Sequence, residues 1–513
     1  MVFNSYIFIF LFFPICLLGY HGLLHYGRKE AAQLFLTVMS FWFYGYFRRS
    51  YLLIMVISIC GNYLFHRLLS ARRSKGILAL SVAANLGLLF YFKYFDFFLM
   101  NINGIFGSSF PLQNIVLPLG ISFFTFQQIG FLADTYMGEV QDCGFRQFVL
   151  FVSFFPQLIA GPIVSHKEML PQFKKMGRDA FDTERFAKGL CLFVLGLFKK
   201  VLLADTLGVG VDYGYANLGL LGRWDMLIII VAYALQLYFD FSGYCDMARG
   251  IGGMMGIQIP VNFNSPYKAT NIVDFWKRWH ITLNRFFTKY VYIPLGGNRR
   301  GRARMYANLL IVFFLSGLWH GAGWNFIFWG MMHGILYMVT RWYQYHRNAK
   351  TNVTGKGSVI DADVMIVSDQ KPGIADVWNT IVTNVSRIFL LCYITVAWVF
   401  FRAKNLSQAF LVLKTLLLGE SRKISLKLAE CFRLNEFWYI LKVLHLDTFS
   451  FGGYILMICM LAAGLYLAMG CGNAAEIADR TTDKAFSAFV YAVLFVWCVL
   501  SFSQVSTFLY FNF

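Results

Sequence analysis

Phe313-Phe314-Leu315-Ser316-Gly317-Leu318-Trp319-His320-Gly321-Ala322-Gly323-Trp324-Asn325-Phe326 sets a histidine inside an apolar run. An ionisable side chain is expensive in hydrocarbon, so it marks either a working site or a deliberate pairing. Gly317, Gly321 and Gly323 permit close backbone approach or a break in the helix. At membrane depth such a break is tolerated only beside protein or a water-filled cavity. His320 is therefore expected to line a cavity, where an imidazole titrating near neutrality can remove a proton from a hydroxyl. The competing reading is a core histidine hydrogen-bonded to a neighbouring helix.

The rest of the chain agrees with a membrane setting. Of its 513 residues 58% are hydrophobic and only 14% charged, with a mean hydropathy of +0.57, against about 25% charged in soluble domains. Val2–Leu24, Gly76–Met100, Phe186–Val211 and Phe486–Phe511 are long enough to cross a hydrocarbon core, which takes roughly 20 apolar residues. Shorter or interrupted runs lie between them. The expected fold is all-α and polytopic, with about ten to twelve transmembrane helices, some too short to span alone. The net charge of +19 is carried by short clusters between apolar runs, including Arg28-Lys29, Arg72-Arg73, Lys174-Lys175, Lys199-Lys200 and Arg299-Arg300-Gly301-Arg302. These read as positive-inside loops and contacts to anionic headgroups of the lipid bilayer, not as a nucleic-acid surface. No Lys or Arg precedes the first apolar run, so the N-terminus is expected outside, without a cleavable signal peptide. Ten scattered cysteines form no close-spaced pair, and neither a metal site nor a disulfide framework is expected. One membrane domain over 1–513 is expected, with a flexible polar loop at about 346–376. The stretches Ser165–Arg185 and Lys414–Leu446 have the mixed pattern of interfacial segments.

Three further clusters carry chemistry. In Trp276-Lys277-Arg278-Trp279-His280, Trp276 and His280 are four apart and expected on one helical face. The cations beside them can hold phosphates or headgroups, or simply anchor a surface helix. Downstream, Gly296-Gly297-Asn298-Arg299-Arg300 offers turn amides and arginines to an anion, or serves as a topology-setting loop. In Asp240-Phe241-Ser242-Gly243-Tyr244-Cys245-Asp246 the carboxylates can orient a histidine or pair with arginines, and Asp240 and Tyr244 share a face.

In this order the segments resemble the membrane-bound O-acyltransferase (MBOAT) family, in its alginate O-acetylation branch. The matching stretches include Leu117-Pro118-Leu119-Gly120-Ile121-Ser122, Phe155-Pro156-Gln157-Leu158-Ile159-Ala160-Gly161-Pro162, Phe239 to Asp246, Asn262 to Tyr267, Trp276 to Leu283, Tyr292 to Gly301, Gly317 to Gly321 and Trp398 to Arg402. The resemblance implies a ring-like helical body with funnels on both faces that meet at a thin centre. It makes His320 the essential histidine, with Trp319 beside it, and His280 the second family histidine near the cytoplasmic funnel. It further implies acyl transfer from a cytoplasmic thioester, with no bound cofactor. Acetyl-CoA, or an acyl-carrier protein, is the expected donor, docking near Trp276, Arg278, His280 and Asn298, Arg299 and Arg300. An extracytoplasmic acetyltransferase partner of the SGNH kind would complete transfer to a surface polysaccharide or peptidoglycan, in a bacterial cell membrane. Thr288-Lys289 stands where the branch usually has Arg-Asp, a departure that bears on an ionic contact there.

The chain ends Phe508-Leu509-Tyr510-Phe511-Asn512-Phe513. This resembles the F-x-Y-F-x-F ending of small acyl-relay proteins that work beside the D-alanylating member of the family. Tyr510 is thus a candidate to carry the acyl group on its phenol; the alternative is an aromatic interfacial belt. Three rivals stand beside the acetylation reading: D-alanyl or other acyl transfer from a carrier protein, a transporter using the intramembrane His and Asp residues, and a scaffold that anchors another enzyme.

Overall fold

The structure is a computed structural model of the chain and describes residues 1–140, 143–177, 181–353, 374–443, 445, 451–504 and 509. Among these residues the regular structure is entirely helical. Six helices are long and apolar enough to cross a membrane: Phe8–His25, Arg49–Ala71, Lys75–Phe106, Arg223–Met254, Ile381–Arg402 and Gly452–Met469. Shorter apolar helices, Leu406–Leu418 and Ala485–Leu500, pack among them. Exposed Leu18, Ile105, Phe389 and Phe486 coat the outside, a surface that suits lipid and not water.

Arg223–Met254 is the hub. Its most apolar window is 83% buried inside the protein, against 17% for Lys75–Phe106. It meets the helix Thr183–Phe198 through two pairs of glycines. A Cβ on Gly196 would lie 2.6 Å from the Gly243 carbonyl oxygen, and one on Gly250 2.6 Å from that of Gly189. Small residues let the backbones touch where hydrocarbon offers no hydrophobic drive to association. The helices Arg49–Ala71 and Lys75–Phe106 are joined instead by paired amides, with Asn85 Nδ2 donating to Asn62 Oδ1 at 2.6 Å and the reverse bond at 3.1 Å.

Basic loops gather on one face: Lys29 donates to the Lys174 carbonyl, Arg146 pairs with Glu30 at 2.9 Å, and Arg73 covers Gly138. The positive-inside rule gives such a basic face the expected orientation toward the cytoplasm.

Two expectations change. Lys199 and Lys200 are not loop charges; they open a π-helical turn, Lys199–Asp205, that continues the Thr183–Phe198 helix into the interior. At the expected loop of 346–376, residues 346–353 and 374–376 are helical, since one helix runs to Val353 and the next begins at Ile374; residues 354–373 lie outside the described residues. The segment Lys414–Leu446 holds the short helices Leu426–Glu430 and Asn435–Val443 after the end of Leu406–Leu418.

Candidate active site

His320 is the last residue of the helix Arg302–His320, and Gly321 leaves the helix in an extended conformation. The following helix, Trp324–Val353, runs back against it. The two cross at Gly317 and Gly330, where an added Cβ would sit 2.4 Å from the Phe326 and Phe313 carbonyl oxygens respectively. This hairpin leaves His320 3% exposed. Its ring is walled by Trp319, Trp329 and Phe401 at centroid distances of 4.9, 5.1 and 5.1 Å, with the His280 ring at 6.3 Å.

The end of that helix has carbonyls with no partner of their own, and a neighbouring helix supplies them. Tyr94 donates its hydroxyl to the Leu318 oxygen at 2.8 Å. Lys93 Nζ donates to the Trp319 oxygen at 2.6 Å, to the His320 oxygen at 3.2 Å and to Ser122 Oγ at 3.4 Å. Both residues lie in a π-helical turn, Phe90–Tyr94, a distortion common at functional sites. Lys93, Gly120, Ser122, Trp319 and His320 line a cavity of about 30 Å³. Sequence reading passed over Lys93, a single cation inside an apolar run; its signal was the charge itself, at a depth where charge is costly.

His280 differs from its expected setting. The segment is not one amphipathic helix but two short ones, Ile272–Arg278 and Ile281–Phe287, broken at Trp279 and His280. His280 has φ 46° and ψ 51°, so Trp276 and His280 do not share a helical face. The break is closed by side chains: Asn284 Nδ2 donates to the Trp279 oxygen at 2.9 Å and also to that of Trp276, and Asn262 Oδ1 accepts from the Thr282 amide at 3.1 Å and hydroxyl at 2.9 Å. His280 is fully buried among Phe123, Phe241, Phe263 and Trp319. Neither of its ring nitrogens meets a hydrogen-bond partner on another described residue. Trp276 reaches the same centre from another side, packed on Trp329 and His333 at 5.9 and 5.2 Å.

The other expected donor-binding residues are not at this centre. Arg278 is held by Asp274 at 2.8 Å. Asn298, Arg299 and Arg300 are exposed in the turn before Arg302, whose carbonyls at Leu295 and Gly297 are held by Asn308 at 3.4 and 3.1 Å. They stand at the opposite end of the Arg302–His320 helix from His320, about 27 Å away by the rise per residue.

The carboxylates of the hub helix pair with lysines. Lys200 bridges Asp240 at 2.6 Å and Asp205 at 2.7 Å; Asp240 Oδ2 also accepts the Leu509 amide at 2.9 Å. Lys199 pairs with Asp246 at 2.7 Å, and Tyr244 stacks on Phe3 at 4.8 Å. A carboxylate does meet a histidine elsewhere: Asp134 pairs with His166 at 3.0 Å. Lys289 joins that group, reaching Asp134 at 2.6 Å and Glu139 at 2.7 Å, so the departure at Thr288-Lys289 still yields an ionic contact. Asp134, His166 and Lys289 rim a cavity of about 190 Å³ whose apolar wall includes Phe126 and Phe286; Phe126 in turn packs on Trp319 at 5.5 Å. Tyr510 lies outside the described residues.

Many helices, broken backbone within the apolar interior and two facing histidines define a polytopic membrane enzyme. Residues 132–358 match the MBOAT, membrane-bound O-acyltransferase family. The chain is 42% identical over 444 residues to the peptidoglycan O-acetyltransferase of Helicobacter pylori, covering 81% of this chain and 79% of that protein. It is 36% identical over 420 residues to a probable alginate O-acetylase AlgI of Pseudomonas aeruginosa, covering 80% and 74%. A teichoic acid D-alanyltransferase of Lacticaseibacillus rhamnosus is 27% identical over 252 residues, covering 45% and 61%. The chain belongs to the membrane-bound O-acyltransferase family and is a multi-pass membrane acyltransferase.

Proposed function

We propose that the chain O-acetylates an extracytoplasmic polysaccharide or peptidoglycan, taking the acetyl group from cytoplasmic acetyl-CoA in a bacterial cell membrane. The observation that carries the mechanism is His320, seated at a helix end in the apolar interior beside a cavity of carbonyl size. In this reading the acceptor oxygen attacks the thioester carbonyl carbon while His320 takes the hydroxyl proton. The tetrahedral intermediate then expels the thiolate, which recovers the proton as free thiol, and the ester departs. Passing a short acyl group through this centre spares the far larger cost of moving a charged coenzyme across hydrocarbon.

Acetyl rather than D-alanyl transfer is favoured because the two O-acetylating relatives match about four-fifths of the chain, and the D-alanyltransferase 45%. The acceptor at the centre is Tyr510, a carrier hydroxyl or the serine of an SGNH-like partner that finishes transfer to the polymer. Ester-linked acids released from the surface polymer of cells carrying wild type or His320→Ala, at matched protein levels, test the reading by mass spectrometry. Loss of acetate in the variant supports it; unchanged acetate removes His320 from the chemistry and returns the scaffold and transporter readings. In the same assay, full acetylation by Tyr510→Phe removes the tyrosine relay.

A further inference from the structure

Among the described residues the interior lysines Lys199 and Lys200 are matched to carboxylates and Lys93 is not. Lys199 meets Asp246, and Lys200 meets Asp205 and Asp240. Among the described residues no carboxylate lies within ion-pair distance of Lys93, whose hydrogen bonds go to the Trp319 and His320 carbonyls and the Ser122 hydroxyl and whose ammonium lies 5.8 Å from the centroid of the Trp319 ring. A lone cation at this depth is unfavourable unless something negative answers it. The end of the Arg302–His320 helix supplies part of that answer, since the C-terminus of a helix carries about half a negative charge. When Lys93 is protonated a positive surplus remains, and it lies on the wall of the same 30 Å³ cavity as His320. Such a space takes one or two waters, or a carbonyl group.

We infer that Lys93 is a catalytic residue of the acyl transfer proposed above, stabilising the oxyanion formed when the thioester carbonyl is attacked beside His320. The inference rests on that acyl-transfer reading. As the acceptor oxygen bonds to the carbonyl carbon, the C=O π pair moves onto oxygen and the hydroxyl proton moves to His320. The oxyanion is the missing counter-charge of Lys93, which keeps all its protons throughout. When the intermediate collapses, the pair returns to the carbonyl and the thiolate leaves. A fixed cation that needs no reorganisation is most effective in a site from which bulk water is excluded. The same ammonium fixes the backbone that carries His320, so the charge and the base are held in one arrangement.

The test separates charge from capping. Native membrane vesicles containing the full chain are given acetyl-CoA, and release of free thiol is followed above the His320→Ala background, with melting temperature recorded in detergent. Lys93→Met removes cap and charge; Lys93→Gln keeps amide donors for the two carbonyls but no charge; Lys93→Arg keeps both. The expected result is that Met and Gln lower the saturating rate on the order of 10²–10³-fold, with KM for acetyl-CoA little changed, while Arg recovers most of the rate. A glutamine variant at the wild-type rate, or an arginine variant that melts normally yet is as slow as glutamine, overturns the role of the charge. If Lys93→Met does not fold, the Gln and Arg variants decide alone. If His320→Ala vesicles release thiol at the wild-type rate, the acyl-transfer reading itself falls and takes this inference with it.

Discussion

The reach of His320 depends on a contact it does not itself make. Gly317 and Gly330 let the two arms of the His320 hairpin touch, and a Cβ on Gly317 would stand 2.4 Å from the Phe326 carbonyl oxygen and 3.3 Å from the Gly330 Cα. Ordinary contact begins at 3.4 Å, so Gly317→Ala must open the arms by about 1 Å. Both neighbours are backbone, which leaves no flexible side chain to absorb the difference. Gly317 is one helical turn before His320, and misplacing a reacting group by about 1 Å lowers a rate about 10²-fold, equivalent to about 2.7 kcal/mol of barrier. Overpacking of this kind typically costs about 1–3 kcal/mol of stability, so the variant is expected to fold with a lowered melting temperature. Thiol release from acetyl-CoA in vesicles reads the rate, and thermal melting in detergent reads the fold. Gly61→Ala is the control, because a Cβ there meets nothing within 4 Å, and its rate should match wild type. Because Gly317→Ala and Gly330→Ala open the same contact, the double variant should fall short of the product of the two. A Gly317→Ala rate within threefold of wild type would refute the idea that this contact sets the position of His320.

Lys200→Met should leave Asp205 and Asp240 buried without their shared cation, and breaking a buried pair in this way costs about 3–5 kcal/mol; urea or thermal unfolding in detergent checks it, and an unchanged midpoint counts against the triad. A pH dependence is expected at the rim around Glu139. Hydrogen bonds from Lys289 and then Lys167 hold the Glu139 carboxyl below its ordinary value of 4.5. A depressed carboxyl contributes stability that is complete above the unfolded value and lost as pH falls through the folded one. The melting-temperature gap between wild type and Lys289→Met should therefore stay constant from pH 8 to 5 and narrow below 4.5 as Glu139 protonates, leaving the share due to the Lys289–Asp134 pair; a gap that does not narrow in acid contradicts the Glu139 contact.

Sequence alone made the membrane fold legible because hydropathy is an average over a window, and six helices among the described residues hold a window apolar enough to cross a membrane. The same averaging hid Lys93, one charge diluted by the aromatics of Phe90–Tyr94. It also made Lys199 and Lys200 read as a loop, since nothing local announces that Asp205, Asp240 and Asp246 will meet them. Lys200 and Asp240 are forty residues apart along the chain, and only the glycine contacts between two helices bring them together. His320 was legible from its own neighbours, because charge, glycines and apolar flanks occur within one turn of it. His280 was found but misplaced: a left-handed backbone normally selects glycine or asparagine, and a histidine there gives no sign of the break.

The two histidines sit where helices end, and that placement follows from the solvent. In hydrocarbon a helix hides every backbone group, so a side chain on its flank faces lipid or another helix, and open space for a reaction exists only where the helix stops. Stopping exposes carbonyls and amides that bulk water cannot reach. Here Lys93 and Tyr94 cover the end at His320, Asn284 and Asn262 cover the break at His280, and Asn325, opening the returning arm, ties the Phe400 and Ala403 carbonyls at 3.1 and 2.8 Å. Each asparagine is ordinary by itself in the sequence. Together they stabilise the interruptions that bring His280 and His320 face to face, so replacing Asn262 or Asn284 by leucine would disturb the centre without touching either histidine.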